Sequence, residues 1–552
     1  MQFEENIIHR PAPKALKYDG EKSLGHLILK QLVNAGDNTV IVCGLTGTTL
    51  SAAQLLEKSI EIAKALQSSG IEEGDVVSIM SETRFEFVFV LLGSIFMNCA
   101  FAPLNHTYNE REVEHAVNLF KPKFIFASGA TSRIIMKATR KLCCVKKFIF
   151  FDECGDSDRP IIDSSAVISL KDFVNQIVSK DLHFEPKAVN ISTSNCLILC
   201  SSGTTGFPKA VKLSQRGIFA SLNDFDSFIL TKQNVGDDPI TILGLLPMFH
   251  VLGIAVLIVS LATPSSKLIM LPRFEEKTFL GCVEKYGCSV TFLVPPLFVF
   301  LSKHPYVDKY NLSSLRLLFV GAAPLSKELE QSVIDRLRNP KLKIRQGYAM
   351  TELTSALMQK EILKAGSVGD VNLNVYAKVI DENNRACGPN IVGELCFKGN
   401  GTMMGYVDDE IATKALIDED GWLHTGDVGY YDTDLQFFIV DRIKELIKYK
   451  AFQVAPAEIE ALLLTHPKIH DCGVIGKPDE FAGELPMAFV VRADLNLTEA
   501  EIVKYIRDRS SPAKRLHGGV RFIKQIPKNP SGKILRRELR TMLAKGDIKS
   551  KL

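Results

Sequence analysis

Short apolar runs alternate with amphipathic stretches along most of the chain. Val76–Met80 (VVSIM), 123–127 (KFIFA), 147–151 (KFIFF) and 316–320 (RLLFV) read as buried strands, whereas residues 55–69 carry apolar side chains at helical spacing and stop at Gly70-Ile71. Strands interleaved with helices predict an α/β fold whose parallel sheets are covered by helices. Two longer apolar runs, 87–105 and 239–266, are uncharged apart from His250. A membrane span needs about 20 predominantly apolar residues. Asn98 and Pro103 interrupt the first run, and Pro247, His250 and Pro264 the second, so both read as buried strand-and-helix segments with no transmembrane segment expected.

The pattern changes after Asp441. One short helix begins with Pro456 in its first turn and ends before His466-Pro467. Another starts at Thr498 with Glu501 three residues on, the signature of a capping box, and lysine and arginine then thicken towards the end. These signals predict an N-terminal domain over 1–441, a connector through Arg442-Ile443-Lys444 (442–444) and a compact second domain over 445–552.

Composition narrows the function. Of 552 residues, 46% are hydrophobic and 23% charged, and the net charge is +3. That excludes a disordered or fibrous chain and argues against nucleic acid as a partner. Twelve cysteines lie scattered without a CxxC pair, as free thiols in a reducing compartment would. The start, MQFEENIIHR, lacks the apolar core of a secretory signal. Ser550-Lys551-Leu552 forms a receptor-read peroxisomal address, which makes the import receptor an expected partner and the peroxisome the expected location.

The strongest local chemical signal is Ser201-Ser202-Gly203-Thr204-Thr205-Gly206-Phe207-Pro208-Lys209, which follows the apolar run 196–200. Four hydroxyls, two glycines and a lysine suit a loop that grips phosphate, but the spacing is not that of the Walker loop. Downstream, in fixed order, come Pro247-Met248-Phe249-His250, Gly321-Ala322-Ala323-Pro324-Leu325 and Gln346-Gly347-Tyr348-Ala349-Met350-Thr351-Glu352. Gly393-Glu394-Leu395, Gly405-Tyr406 and Gly421-Trp422-Leu423-His424-Thr425-Gly426-Asp427 follow, then Asp441-Arg442, Lys448-Tyr449-Lys450 and Pro530-Ser531-Gly532-Lys533. With these motifs the chain resembles the adenylate-forming superfamily of acyl-CoA synthetases, nonribosomal adenylation domains and beetle luciferases. Within it the chain is most similar to the 4-coumarate-CoA ligase and luciferase branch, and to the peroxisomal acyl-CoA ligases of insects that are themselves luciferase-like. The resemblance is loose before residue 190 and dense after it.

The resemblance implies a large N-terminal domain of helix-covered β-sheets with a β-barrel-like subdomain, and a small mobile α+β C-terminal domain. It implies that the 201–209 loop steadies the β- and γ-phosphates of ATP, through Ser201, Ser202, Gly203, Thr204, Thr205, Gly206 and Lys209. Tyr348 then stacks on adenine, with Gly321, Ala322 and Ala323 along its other face. Thr351 lies near the α-phosphate, Glu352 holds Mg²⁺, and Asp427 and Arg442 bind the ribose. Lys533 is the implied adenylation lysine. After pyrophosphate leaves, the small domain turns about Lys444, and Lys448 replaces Lys533 to serve thiolysis by coenzyme A. The implied acyl pocket is lined by His250, Val251, Leu252, Gly253, Gly321, Ala322, Ala349 and Ser355, an apolar wall suited to a medium or long fatty acid or an aryl acid. His250 orients the carboxylate.

The family's usual glycines are replaced by Ala210, Ala322, Ala349 and Ala451. A methyl group forbids little unless φ is positive or a ligand grazes the backbone. Ala349 narrows the implied pocket and Ala451 borders the implied pantetheine tunnel. The expected function is ATP-dependent activation of an apolar carboxylic acid to acyl-AMP, then transfer to coenzyme A. The alternative is a luciferase-type monooxygenase, against which Ser221 and Leu252 stand where luciferases carry arginine and phenylalanine.

Overall fold

A computed structural model describes the chain except residues 1, 5, 15, 153–165, 177–183, 202–207, 264–265, 324, 451, 530–531 and 550–552. Three sheets build the N-terminal part. An eight-stranded sheet runs Gly405–Tyr406, Lys209–Ser214, Asn195–Ser201, Ala100–Leu104, Val76–Met80, Phe124–Ala127, Lys147–Phe150 and Val167–Ser169 in spatial order. A nine-stranded sheet centres on Leu317–Val320, Val290–Leu293, Thr241–Gly244 and Lys267–Met270, all parallel. The third sheet has six antiparallel strands, from Gln2–Glu4 and Ile7–Arg10 through Val375–Ile380, Gly393–Gly399 and Leu423–Tyr431 to Phe437–Arg442.

The main core lies between the two large sheets. Helices Leu24–Ala35, Ala52–Ser68, Phe85–Phe96 and Val251–Ala262 bury their apolar faces there against Val77, Phe101 and Leu197 of one sheet and Ile242, Leu268 and Phe292 of the other. Further helices cover the outer faces, Glu276–Tyr286 and Pro295–Lys303 on the nine-stranded sheet, and Glu110–Phe120 and Gly129–Thr139 on the eight-stranded one. The layering is thus helix, sheet, helix, sheet, helix. It explains why so many runs are apolar throughout: strands of parallel sheets are buried on both faces. It also absorbs the two long apolar stretches. Residues 87–105 become the end of helix Phe85–Phe96 plus strand Ala100–Leu104, and 239–266 become strand Thr241–Gly244 plus helix Val251–Ala262. Among the described residues no helix is long and apolar enough to cross a membrane, and the cysteines are free.

The six-stranded sheet occupies the place of the expected barrel-like subdomain. It packs Ile8, Val375, Leu395, Phe397, Tyr431 and Phe437 against Leu353 and Leu357 of the nine-stranded sheet, and its end strands do not pair with each other. Its last strand ends at Arg442, and a separate five-stranded sheet begins at Ile447–Tyr449. There helix Pro456–Leu464 starts on its proline, and Thr498 caps helix Glu499–Arg507 by accepting from the Glu501 N–H at 3.2 Å. The capping box is only half made. The Glu501 carboxylate turns instead to Lys468 Nζ at 3.1 Å. Arg536 ties this domain together with a bidentate bond to Glu460 at 2.9 and 2.8 Å.

Candidate active site

Parallel strands of an open α/β sheet present their carboxyl ends on one side, and ligands bind in the crevice beyond them. Here strand Thr241–Gly244 leads to His250, strand Leu317–Val320 runs into Gly321-Ala322-Ala323, and strand Lys343–Met350 delivers Tyr348, Ala349 and the turn Thr351-Glu352. The sheet topology therefore gathers three of the sequence motifs at one rim.

The neighbouring six-stranded sheet supplies the facing wall. Asp427 and Arg442 are cross-strand partners, and Arg442 Nε lies 3.1 Å from Asp427 Oδ1. Tyr348 donates its hydroxyl to Asp427 Oδ2 at 2.6 Å, which together with burial holds the phenol proton far into the alkaline range. Register slips between Glu394/Val428 and Cys396/His424, so residues 425–427 bulge, and such a bulge re-aims side chains at a sheet rim. Glu352 is buried and accepts from the Tyr406 hydroxyl at 2.9 Å through Oε1. Its Oε2 accepts no hydrogen bond among the described residues. Lys209 lies 4.9 Å over the same Tyr406 ring and 3.4 Å from Asp409. A chain of contacts thus joins the end of the phosphate-type loop to the Glu352 carboxylate.

Ser201 and Lys209 face each other across an antiparallel strand pair. Ser202, Gly203, Thr204, Thr205 and Gly206 lie outside the described residues, as do Ala451 and Ser550-Lys551-Leu552.

Lys533 comes from the C-terminal domain. Asn529 and Lys533 exchange two bonds, Lys533 N–H to Asn529 Oδ1 and Asn529 N–H to the Lys533 carbonyl, both 2.9 Å, which pinches the loop around Gly532. Gly532 packs against Val294 and Pro296 of the N-terminal domain. Lys533 is partly buried. Burial, then Arg442, lower its pKa from 10.5 to about 8, while Asp427 and Glu352 oppose the shift. His250 caps the helix Val251–Ala262 as a non-helical residue, and its Nε2 is buried without a hydrogen-bond partner among the described residues. Burial and the nearby Lys533 charge push its pKa down to about 4, so the imidazole is neutral. Lys448, by contrast, is exposed on strand Ile447–Tyr449, where its backbone N–H bonds Glu484, and it has no ion pair among the described residues. Lys444 is exposed in the connector.

The cavity beyond His250 differs in its lining from the expected pocket. One face of the His250 helix, Val251, Ile254, Ala255 and Ile258, meets Ile218, Ser221 and Leu222 of helix Gln215–Asp224, with Leu197 and Thr354, around a partly open apolar cavity. Leu252 instead abuts Gly321. Gly253 points away, packed so tightly that a Cβ would stand 2.0 Å from the Pro247 carbonyl oxygen. Ser355 also faces away and accepts from Asn372 Nδ2 at 2.6 Å, and its neighbour Thr354 takes the lining position. Alternation along the strand Leu353–Met358 decides this, and it was not fixed by the motif alone. Sequence reasoning gave no role to Tyr406, Thr354 or Ala255. Only the motif Gly405-Tyr406 marked the first, and helical spacing from His250 was the available signal for Ala255.

Nucleotide-type polar groups on the rim, a lysine delivered by a second domain and an apolar cavity define an adenylate-forming enzyme. The chain belongs to the AMP-binding enzyme family, which it matches over residues 29–407, with the AMP-binding enzyme C-terminal domain matched over 458–533. It is 37% identical to luciferin 4-monooxygenase of Photinus pyralis, over 100% of both chains. It is 36% identical to 4-coumarate–CoA ligase 1 of Petroselinum crispum, over 99% of this chain and 98% of that one. Among solved structures, the anthranilate CoA ligase AuaEII shares the fold with a TM-score of 0.84 at 19% identity, covering 96% of this chain and 98% of that one. The ATP-bound MatB from Rhodopseudomonas palustris gives 0.81 at 23%, covering 94% and 99%.

Proposed function

We propose that the protein joins an apolar carboxylic acid to AMP and then transfers the acyl group to coenzyme A. The observation that carries this reading is a buried His250 Nε2 that has no hydrogen-bond partner among the described residues, feels the Lys533 charge and immediately precedes the cavity-lining Val251. A carboxylate that attacks the α-phosphate of ATP brings two anions together, and a cation fixed where charge develops lowers that barrier. Lys533 supplies the cation. Neutral His250, with its proton on Nε2, donates to the substrate carboxylate, and the apolar tail runs along Val251, Ala255 and Ile258. Tyr348, Asp427 and Arg442 hold the nucleoside, and Thr351 faces the α-phosphate. The single carboxylate of Glu352, with one oxygen held by Tyr406 and the other accepting no bond among the described residues, fits the sparse protein ligation that Mg²⁺ accepts beside nucleotide phosphates. Bound there, Mg²⁺ offsets the charge of departing pyrophosphate.

In the second half-reaction the coenzyme A thiol attacks the acyl carbonyl and AMP leaves. Exposed Lys448 serves this step once the small domain turns about 442–444. Mutation separates the two lysines: Lys448→Ala retains ATP–pyrophosphate exchange while thioester formation falls at least tenfold. Equal slowing of both steps overturns the division of labour. Peroxisomal import through Ser550-Lys551-Leu552 belongs to the same reading and rests on those residues alone; a fluorescent fusion lacking them tests it.

Similarity to luciferin 4-monooxygenases motivates a second reading, oxidation of a luciferyl-adenylate by O₂ with emission of light. Against it, Ser221 pairs its hydroxyl with Thr354 at 3.2 Å, and Leu252 fills the place beside Gly321. AMP release from a fatty- and aryl-acid panel, with and without coenzyme A, plus photon counting with luciferin, decides between them. Turnover that needs coenzyme A and gives no light supports the ligase; strong light without coenzyme A overturns it.

A further inference from the structure

Away from the cleft residues, strands Gly393–Gly399 and Leu423–Tyr431 bring together three side chains that the proposed reaction does not use. Cys396 and His424 are direct cross-strand partners, and Glu394, two residues before Cys396, shares its face. One ligand-type atom from each lies within 4.8 Å of the others. His424 Nδ1 is 3.3 Å from Glu394 Oε2 and 3.6 Å from Cys396 Sγ. Zinc bonds of about 2.0–2.1 Å to nitrogen, about 2.0 Å to oxygen and about 2.3 Å to sulfur give tetrahedral edges of about 3.3 Å (N···O) and about 3.6 Å (N···S). The two His424 separations match those edges, and the Glu394–Cys396 separation is within 4.8 Å.

The surroundings are prearranged in the same sense. His424 Nε2 lies 3.4 Å from Asp418 Oδ2, so the imidazole stands between two carboxylates. A neutral ring has one N–H and can serve only one of them. A cation at Nδ1 leaves Nε2–H to donate to Asp418, the arrangement that orients metal-bound histidines. Glu394 Oε1 is held by the Gly426 N–H at 2.8 Å, which leaves Oε2 directed at the group. The side chains of Glu394 and His424 are 20% and 27% exposed, which gives an ion a way in, and Cys396 forms the buried floor.

We propose that Glu394, Cys396 and His424 form a binding site for one divalent cation of the zinc type, with water in the fourth position. The mixed N, O and S donor set selects Zn²⁺ or Co²⁺ and not Mg²⁺ or Ca²⁺. Occupancy clamps the strand pair beside the bulge that presents Asp427. Lys378, the partner of Cys396 on the next strand, holds its ammonium 4.3 Å over the Trp422 ring.

The test uses the full chain with Cys143→Ser and Cys144→Ser, which removes the one exposed thiol among the described residues and its neighbour. Co²⁺ is titrated while thiolate-to-cobalt charge-transfer absorption is followed together with emission from Trp422, the single tryptophan, which clusters with Cys396. The expected result is one equivalent bound, a charge-transfer band displaced by Zn²⁺, a shift in Trp422 emission, and loss of the band in both Cys396→Ser and His424→Gln. A missing band means an internal hydrogen-bonded triad only and overturns the proposal, as does a band that survives Cys396→Ser. Because the readout needs neither ATP nor an acid, it is independent of the proposed reaction.

Discussion

Lys533 carries a cost that can be measured apart from catalysis. In the ligand-free protein its pKa is lowered from 10.5 to about 8, chiefly by burial and next by Arg442. At about 1.4 kcal/mol for each pH unit, the charged lysine disfavours the folded state by roughly 3 kcal/mol, and by roughly 2–3 kcal/mol once its partial exposure is allowed for. The sign follows from proton counts. Between pH 8 and 10.5 the unfolded chain holds the lysine proton more fully than the folded one, so stability rises with pH across that window. Below about pH 8 the penalty is fully present. Lys533→Met keeps a similar side-chain volume and removes the charge. It is expected to stabilise the ligand-free protein by roughly 2–3 kcal/mol at pH 7 in urea unfolding, with the difference shrinking from pH 8 towards 10.5. The same variant loses ATP–pyrophosphate exchange by about 100-fold or more, the scale for one group that stabilises developing charge. In the wild-type enzyme, kcat/KM for exchange falls about tenfold per pH unit above pH 8 as the lysine loses its proton, because that ratio reports the free enzyme. A variant no more stable than wild type at pH 7, or one that exchanges normally, refutes the reasoning.

Two further expectations rest on particular geometry. Ala322 adopts a left-handed backbone with φ of 69°, where a methyl side chain is strained, so Ala322→Gly gains about 0.5–1 kcal/mol after the added freedom of the unfolded chain is counted; a lower melting temperature contradicts this. Ala255 is the small residue on the cavity face of the His250 helix, and Ala255→Phe should lower kcat/KM for long acids about tenfold or more while sparing short ones, at about 1–3 kcal/mol of overpacking. Equal loss for all acids, or no change, separates the acyl chain from that cavity.

Much of this protein is local. Runs such as Val76–Met80 and Leu317–Val320 are strands because a buried parallel strand tolerates only apolar side chains, and helix Pro456–Leu464 starts where proline fits a first turn. The motif residues carried their chemistry in their types: hydroxyls and a lysine for phosphate, carboxylates for ribose and cation, and a lysine before the last helix. Tertiary structure decided which of them meet. Tyr348 and Asp427 come from different sheets, and no periodicity links a phenol to a carboxylate 79 positions on. The same holds for Tyr406 and Glu352, and for Lys533, whose altered pKa arises wholly from groups folded around it. Strand parity puts Thr354 in the cavity wall and turns Ser355 to Asn372, since the two differ by one position and therefore by a whole face. Residue type is written in one dimension; direction, burial and distance exist only once the layers have packed.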